Sequence, residues 1–575
     1  MFNWIRLFLL HFDTLILGGG IFWLLITIGT GFGPYWDSWL FYNRAMPWSY
    51  WLASWWNGQP APSLLNWQIF FPDASRHPPL MEFGGGFCHA LFKNSFGELG
   101  SCRLFVEFFT SLSLAVMYGF LKTRLGRIGG LFGVCLFLGS PRFLVHGVRF
   151  GIDGLIAALY GMAVIAFLGW GRRAGNLMWI FILLVLSFLT KIQGFYLVVV
   201  LIFWILLLNL ERTRKGQIFF NPQAGTDLAS GLLLAGLAAG LAIFLWPPLW
   251  LNFPEAFNQF IHFTTHHVKI AVLYFGTVYG EGNPPPWHYP WGFCLVALPL
   301  WLTLPILIKA VRRLVLAGLS FRQSYAFDSQ AGAGFQAPLR RMPSSMLPAQ
   351  EEGLFWGAML IPLVISSMPD VPRFDGIRLL LPAMIPWVVL VADEILCWWR
   401  WIELRLLKPF HASIRMALFS PMLLLVLLPS IRIYPYNLCY YSPLIGGTSG
   451  AQRAGFDLDY LGVSMHLLNP ALSRVAHAGD ILLLLGGNSP VYHAGPEGWT
   501  PVPEGIRAMR FFIDPNLLSE KNNIFVIIGS RYSDFNQQVE AILREAPIIQ
   551  AVTCKGERLF SLHRLDKALI RRLLD

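Results

Sequence analysis

Polar positions are sparse along most of this chain, and they separate apolar runs of about 20 residues, the length a helix needs to cross a hydrocarbon core. Runs near 8–30, 103–121, 128–141, 152–170, 176–190, 195–210, 228–246, 291–310, 353–368, 378–397 and 414–431 predict eleven membrane-spanning helices. The runs 128–141 and 176–190 are short, so tilted or broken helices are expected there. After about 432 the pattern changes. "DILLLLGG", "NIFVIIGS" and "RLFSLHRL" read as short buried strands, and "DFNQQVEAILREA" reads as an amphipathic helix. The chain therefore divides into a transmembrane part, 1–431, and a small α/β domain, 432–575. No internal repeat is visible.

Composition supports a polytopic membrane protein. Of 575 residues, 55% are hydrophobic and 13% charged, against about 25% charged in an ordinary soluble protein. The net charge of +11 does not indicate nucleic-acid binding, because the basic residues sit in short loops between apolar runs. One set of loops (Lys122/Arg124/Arg127, Arg172/Arg173, Arg212/Arg214/Lys215, Lys309 to Arg341, Arg400 to Arg415) is richer in Lys and Arg than the intervening set. The positive-inside rule then places the N-terminus in the cytoplasm. An odd number of spans places the C-terminal domain outside. The first apolar run is read as a retained helix rather than a cleaved signal.

On this topology the long loops 31–102 and 247–290 lie outside, and the polar loop 311–352 is a cytoplasmic linker. The seven cysteines form no CxxC pair. A bridge between Cys439 and Cys554 is one pairing the outer side would permit.

The candidate chemistry gathers on the outer loops. "GPYWDSWLFYNRA" follows the first run and sets Asp37 among Tyr35, Trp36, Trp39 and Tyr42, rings expected in an interfacial belt. "DASRHPPLMEF" places Arg76, His77 and Glu82 around two prolines that fix the backbone. It also predicts an interfacial helix starting at Leu80. "SPRFLVHGVRFGID" carries Arg142, His146, Arg149 and Asp153, with Arg149 and Asp153 at a helical i,i+4 spacing. Lys191 lies in "FLTKIQG". Snorkelling would explain any one of these cations. Grouped on the cation-poor side, Arg76, His77, Arg142, Arg149 and Lys191 suggest a site for an anionic headgroup. His262 and His266 are i,i+4 and would suit a metal if helical, and Glu82 is a further candidate ligand, but no complete ligand set is present. No cofactor is required by this reading; a divalent metal is the one it leaves open.

Together, the acid after the first span, "HPPL", "PRF…VRFGIDG", "LTKIQG", "PPPWHYPW" and "RFDGIRLLLPAMIPW" resemble membrane glycosyltransferases of the GT-C fold. The resemblance is to the dolichyl-phosphate-mannose-protein mannosyltransferase-like group, glycosyltransferase family 39, to which the aminoarabinose lipid A transferases are related. It runs over roughly residues 8–465, where "YPYNLCYYSPLIGGTSGAQRAGFDLDYLG" also resembles the segment after the last span of bacterial members. It implies an inverting transfer of a sugar from a polyprenyl-phosphate donor to a hydroxyl of a protein, lipid or glycan, on the outer face of a bacterial inner membrane. It further implies that Asp37 deprotonates the acceptor, that His77 lies near the lipid phosphate, and that Asp153 is a second acid of the site. Relatives often show Asp-Glu at the first position; this chain has Asp37-Ser38 and so a single carboxylate. A flippase for a lipid-linked sugar and an inactive scaffold in envelope assembly remain open. A transporter predicts inverted repeats and ionisable groups at the membrane midplane.

Overall fold

The computed structural model describes residues 2–34, 36–63, 67–71, 77–171, 174–212, 218–265, 270–325, 345–485, 507–510, 513, 515–518, 520 and 522–574. Helices occupy every apolar run named above. Among the described residues, five helices are long and apolar enough to cross a membrane: Phe12–Gly29, Leu80–Leu138, Ala224–Phe244, Arg378–Arg405 and Ser413–Ile433. A bent pair, Pro141–Val148 with Ile152–Phe167, makes a sixth, and Ala174–Phe188 and Ile192–Leu208 are shorter apolar helices. This is fewer than the eleven expected. The run at 291–310 is split between helices Tyr289–Ala297 and Leu300–Tyr325, and that at 353–368 belongs to a helix opening on Glu351 and Glu352.

The helix Leu80–Leu138 merges three expected pieces. It starts at Leu80, straight after Pro78-Pro79, as a chain with fixed φ and missing donors should. Its backbone leaves helical geometry at Gly97 (φ 70°) and Gly126 (φ 79°), a region that favours glycine. Three arms result, of which the last two match the spans expected at 103–121 and 128–141. Charges inside apolar helices are paired. Asp13, in the first helix, accepts from Lys122 Nζ at 2.6 Å and from the Tyr118 hydroxyl at 3.0 Å. Lys309 pairs with Asp393, Arg312 with Glu394, and Arg313 Nε with Glu352 at 2.8 Å. The helix Leu300–Tyr325 thus continues well into the stretch read as a linker, 311–352.

The C-terminal strands form where the sequence places them. Two short antiparallel pairs, β1 (Leu210–Arg212) with β2 (Ile218–Phe220) and β3 (Val272–Tyr274) with β4 (Thr277–Tyr279), precede a five-stranded sheet in the order β6 (Arg507–Arg510), β5 (Ile481–Leu485), β7 (Ile524–Gly529), β9 (Glu557–Leu565) and β8 (Ile548–Cys554). Strands β5, β6 and β7 are parallel, while β9 runs antiparallel to β7 and β8. Every residue of β5 and β7 is buried, because both faces of the sheet are covered. Alternation along the strands separates the two faces. Leu482, Leu484, Phe525, Ile527, Phe560 and Leu562 join the core shared with the membrane helices. Ile481, Leu483, Ile524, Val526 and Ile528 pack instead on Val539, Ile542, Leu569 and Ile570 of helices Gln537–Glu545 and Lys567–Leu574. Each such Leu or Ile contributes about 1.5–3 kcal/mol relative to exposure. Through one face the sheet therefore packs against the segment that follows the last apolar helix. Cys439 and Cys554 both belong to the shared core, their thiols touch, and all seven cysteines are free.

Candidate active site

Asp37 is placed by how the first helix ends. Arg103, on the long helix, donates from Nη1 to the Gly29 carbonyl at 2.5 Å and from Nη2 to those of Phe32 and Gly33 at 2.6 and 3.1 Å. A cation at a helix C-terminus suits the carbonyls left without partners there. Gly33 N donates to the Val463 carbonyl at 3.1 Å. The chain then turns into helix Trp36–Trp56, with Asp37 in its first turn. That helix is not among those apolar enough to cross a membrane. Its Tyr42, expected in a belt, is buried and donates to Glu98 at 2.6 Å. Tyr50, Trp55 and Trp56 are the exposed rings at its far end. Tyr35 and the side chains of Trp36 and Trp39 lie outside the described residues.

Asp153 is placed by the bent pair, which turns through 104°. Arg149 ends its first helix and Asp153 opens the second, so the i,i+4 contact expected from the spacing forms across a corner: Nη2 to Oδ2, 2.6 Å. Both acids thus sit in the first turn of a helix, where negative charge is favoured. Lys191, between helices Ala174–Phe188 and Tyr196–Leu208, donates to the other Asp153 oxygen at 2.7 Å.

One residue joins the two acids. Arg378 donates from Nη2 to Asp37, from Nε to Asp153 Oδ2 at 2.8 Å, and from Nη1 to Asp375 Oδ2 at 3.1 Å. It follows a turn with both Asp375 (φ 54°) and Gly376 (φ 64°) in the left-handed region. The Tyr289 hydroxyl accepts from Gly376 N at 3.0 Å and helps hold that turn. Asp37, Asp153, Arg149, Lys191 and Arg378 are all less than a tenth exposed. Burial raises the Asp37 carboxyl above the usual carboxylate range, against the opposing pull of Arg378.

The remaining expected site residues divide. The turn carrying His77 is tied to the Lys191 loop by Leu80 N donating to the Leu189 carbonyl at 2.9 Å. Burial, followed by the Lys191 and Arg44 charges, holds His77 well below the usual imidazole range. It stands at the site as a neutral ring, not as the cation the sequence reading gave it. Arg142 lies apart from the two acids, fully buried in an aromatic cage. Its guanidinium is 4.6 Å from the Tyr441 ring centre, 5.5 Å from Tyr460 and 5.8 Å from Phe293. Its Nε donates to the Tyr440 carbonyl at 3.1 Å. Glu82 faces Arg44 at 3.7 Å, and His262 is exposed on helix Glu255–Thr265. Arg76 and His266 lie outside the described residues. Among the described residues, no three His, Cys, Asp or Glu side chains are grouped to hold a metal ion.

The sequence reading missed Arg378, Asp375 and Arg103 as site residues. Arg378 had a signal: it heads an apolar run, where a charge is costly unless it has work to do.

Residues 76–225 match the family described as dolichyl-phosphate-mannose-protein mannosyltransferase. That stretch contains His77, Arg149, Asp153 and Lys191 but neither Asp37 nor Arg378. The resemblance to that group therefore holds over this stretch, about a quarter of the chain. No curated protein matches the chain. Among solved structures, ArnT from Cupriavidus metallidurans in the apo state is 12% identical over 96% of this chain and 98% of that one, with a TM-score of 0.45. The same protein bound to undecaprenyl phosphate gives 12% identity over 95% and 97%, with a TM-score of 0.44. The oligosaccharyltransferase AglB from Archaeoglobus fulgidus, in complex with an inhibitory peptide and a dolichol-phosphate, gives 14% over 82% and 62%, at 0.40.

Proposed function

We propose that this protein is an inverting glycosyltransferase that moves a sugar from a polyprenyl-phosphate donor to an acceptor hydroxyl at the outer face of a bacterial inner membrane. The observation that carries the reading is the meeting of Asp37 and Asp153 on Arg378, with Arg149 and Lys191 also paired to Asp153. In the proposed reaction Asp37 takes the proton of the acceptor hydroxyl. The acceptor oxygen forms its bond to the anomeric carbon as the bond from that carbon to the phosphate oxygen breaks. The phosphate leaves with the bond's electron pair. A developing phosphate charge needs fixed donors around it, and Arg378, Lys191 and Arg149 supply forked and point charges in a site with little water. Asp153 keeps these three cations in register, which assigns it orientation rather than proton transfer. The raised Asp37 carboxyl is the better base for being buried. His77 offers a neutral hydrogen bond beside them.

The test is transfer itself. Purified protein in nanodiscs, given a panel of radiolabelled polyprenyl-phosphate sugars and membrane extract, is expected to release polyprenyl phosphate and label an acceptor. Protein-dependent movement of the intact lipid across a vesicle, with no release, would replace the enzyme with a transporter.

A further inference from the structure

Asp375 stands between two arginines, one 3 and the other 156 positions further along the chain. Its Oδ2 accepts from Arg378, and its Oδ1 accepts from Arg531 Nη1 at 2.9 Å. Arg531 follows strand β7 of the C-terminal sheet and is 1% exposed. It also donates to the carbonyls of Tyr460 at 3.0 Å and Ala271 at 2.8 Å. The sheet, the segment after the last span and the second outer loop therefore all meet on this guanidinium. The acids facing it are Asp375, Asp534, whose Oδ2 is 3.2 Å from Nε, and Asp457.

We propose that Arg531 is a positioning residue for the candidate site: by neutralising Asp375 it leaves Arg378 to hold Asp37 and Asp153, so that docking of the C-terminal sheet completes the site. The physical reason is competition. Arg378 serves three carboxylates, each from a different nitrogen, and they share its single positive charge. With Arg531 in place, Asp375 is shared between two cations. Without it, a buried Asp375 draws on Arg378 alone, at the expense of Asp37. The inference deepens the functional reading above, and its test is independent of turnover.

The test follows Asp37 by its reaction with a hydrophobic carbodiimide, which adds to protonated carboxyls, in the full-length protein in nanodiscs. Modification is located by peptide mass spectrometry across a pH series. Asp37 is faced by Arg378, Asp153, Arg149 and Lys191, with neutral His77 nearby. Arg531→Met is expected to move the Asp37 midpoint upward by about one pH unit, and Arg531→Lys to move it less. The double variant Arg531→Met/Asp375→Asn is expected to return the midpoint toward wild type, since the competitor for Arg378 is gone. General loosening of the C-terminal sheet would not be reversed by that second change. An unchanged midpoint in Arg531→Met, or no return in the double variant, overturns the inference. Absence of turnover in wild type would defeat the functional reading and leave this result standing.

Discussion

Arg378 and Asp37 are ion-paired although 341 positions separate them. Their pairing draws distant parts of the chain together, because Arg378 also holds Asp153 and Asp375. Arg378→Met is therefore expected to leave three buried carboxylates short of a partner. Breaking a buried pair from one side costs about 3–5 kcal/mol, so thermal unfolding in detergent is expected to shift strongly downward. Arg378→Lys is expected to recover only part of the loss, since an ammonium cannot reproduce three directed donors.

The pH dependence of donor release should report Asp37. Burial raises its carboxyl above the ordinary carboxylate value, and a base works only when deprotonated. Activity is expected to fall as pH drops through that raised value, so the acid limb should lie above pH 3.8, the ordinary position of the group. A pH series of initial rates checks it. A flat profile down to the normal carboxylate range would contradict the assignment.

The corner that carries Asp153 depends on one small residue. A Cβ at Gly154 would run into the His146 carbonyl oxygen, which is backbone and cannot swing away. Gly154→Ala is expected to destabilise the bent pair by about 1–3 kcal/mol and to pull Asp153 off Arg378. Reduced melting temperature together with reduced donor release would be the signature; Gly225→Ala, where the added carbon meets open space, is the control.

Asp534 gives a stability test on the C-terminal domain. Burial lifts its carboxyl from 3.8 to about 6, against Arg531. A folded value above the unfolded one means that this group's stabilisation is fully present below 3.8 and is lost as pH rises through about 6. Asp534→Asn mimics the protonated form. Relative to wild type, its melting temperature is expected to improve between pH 4 and 7 (a window of about that width follows from the linkage). A difference that stays constant across that range would contradict the sign.

How much of this was readable beforehand differs by element. The apolar runs gave the helices, because about 20 apolar residues in a row have few other places to go. The count of spans was less readable: Gly97 and Gly126 bend one helix without ending it, and the run at 291–310 is divided between two helices. The strands 481–485 and 524–529 announced themselves as short apolar runs bounded by glycine and polar residues. At the site, Arg149 and Asp153 were legible as a local pair at helical spacing. Lys191 was legible as a cation on the wrong side for orientation. Arg142 carried the same signal and does something else, since only tertiary structure reveals the rings around it. Arg378 and Arg531 could not be assigned to Asp37 from sequence, because nothing local connects residues brought together only when the chain closes. His77 was legible in position but not in charge, which depends on how many cations fold around it.

The most direct test of the central claim is release of polyprenyl phosphate from a labelled donor by wild-type protein and by Asp37→Asn, each shown to be folded by its melting curve. The account predicts release by wild type and its loss, by a hundredfold or more as expected for removing a general base (about 10²–10⁴-fold), in Asp37→Asn. Undiminished release by a folded Asp37→Asn would contradict it.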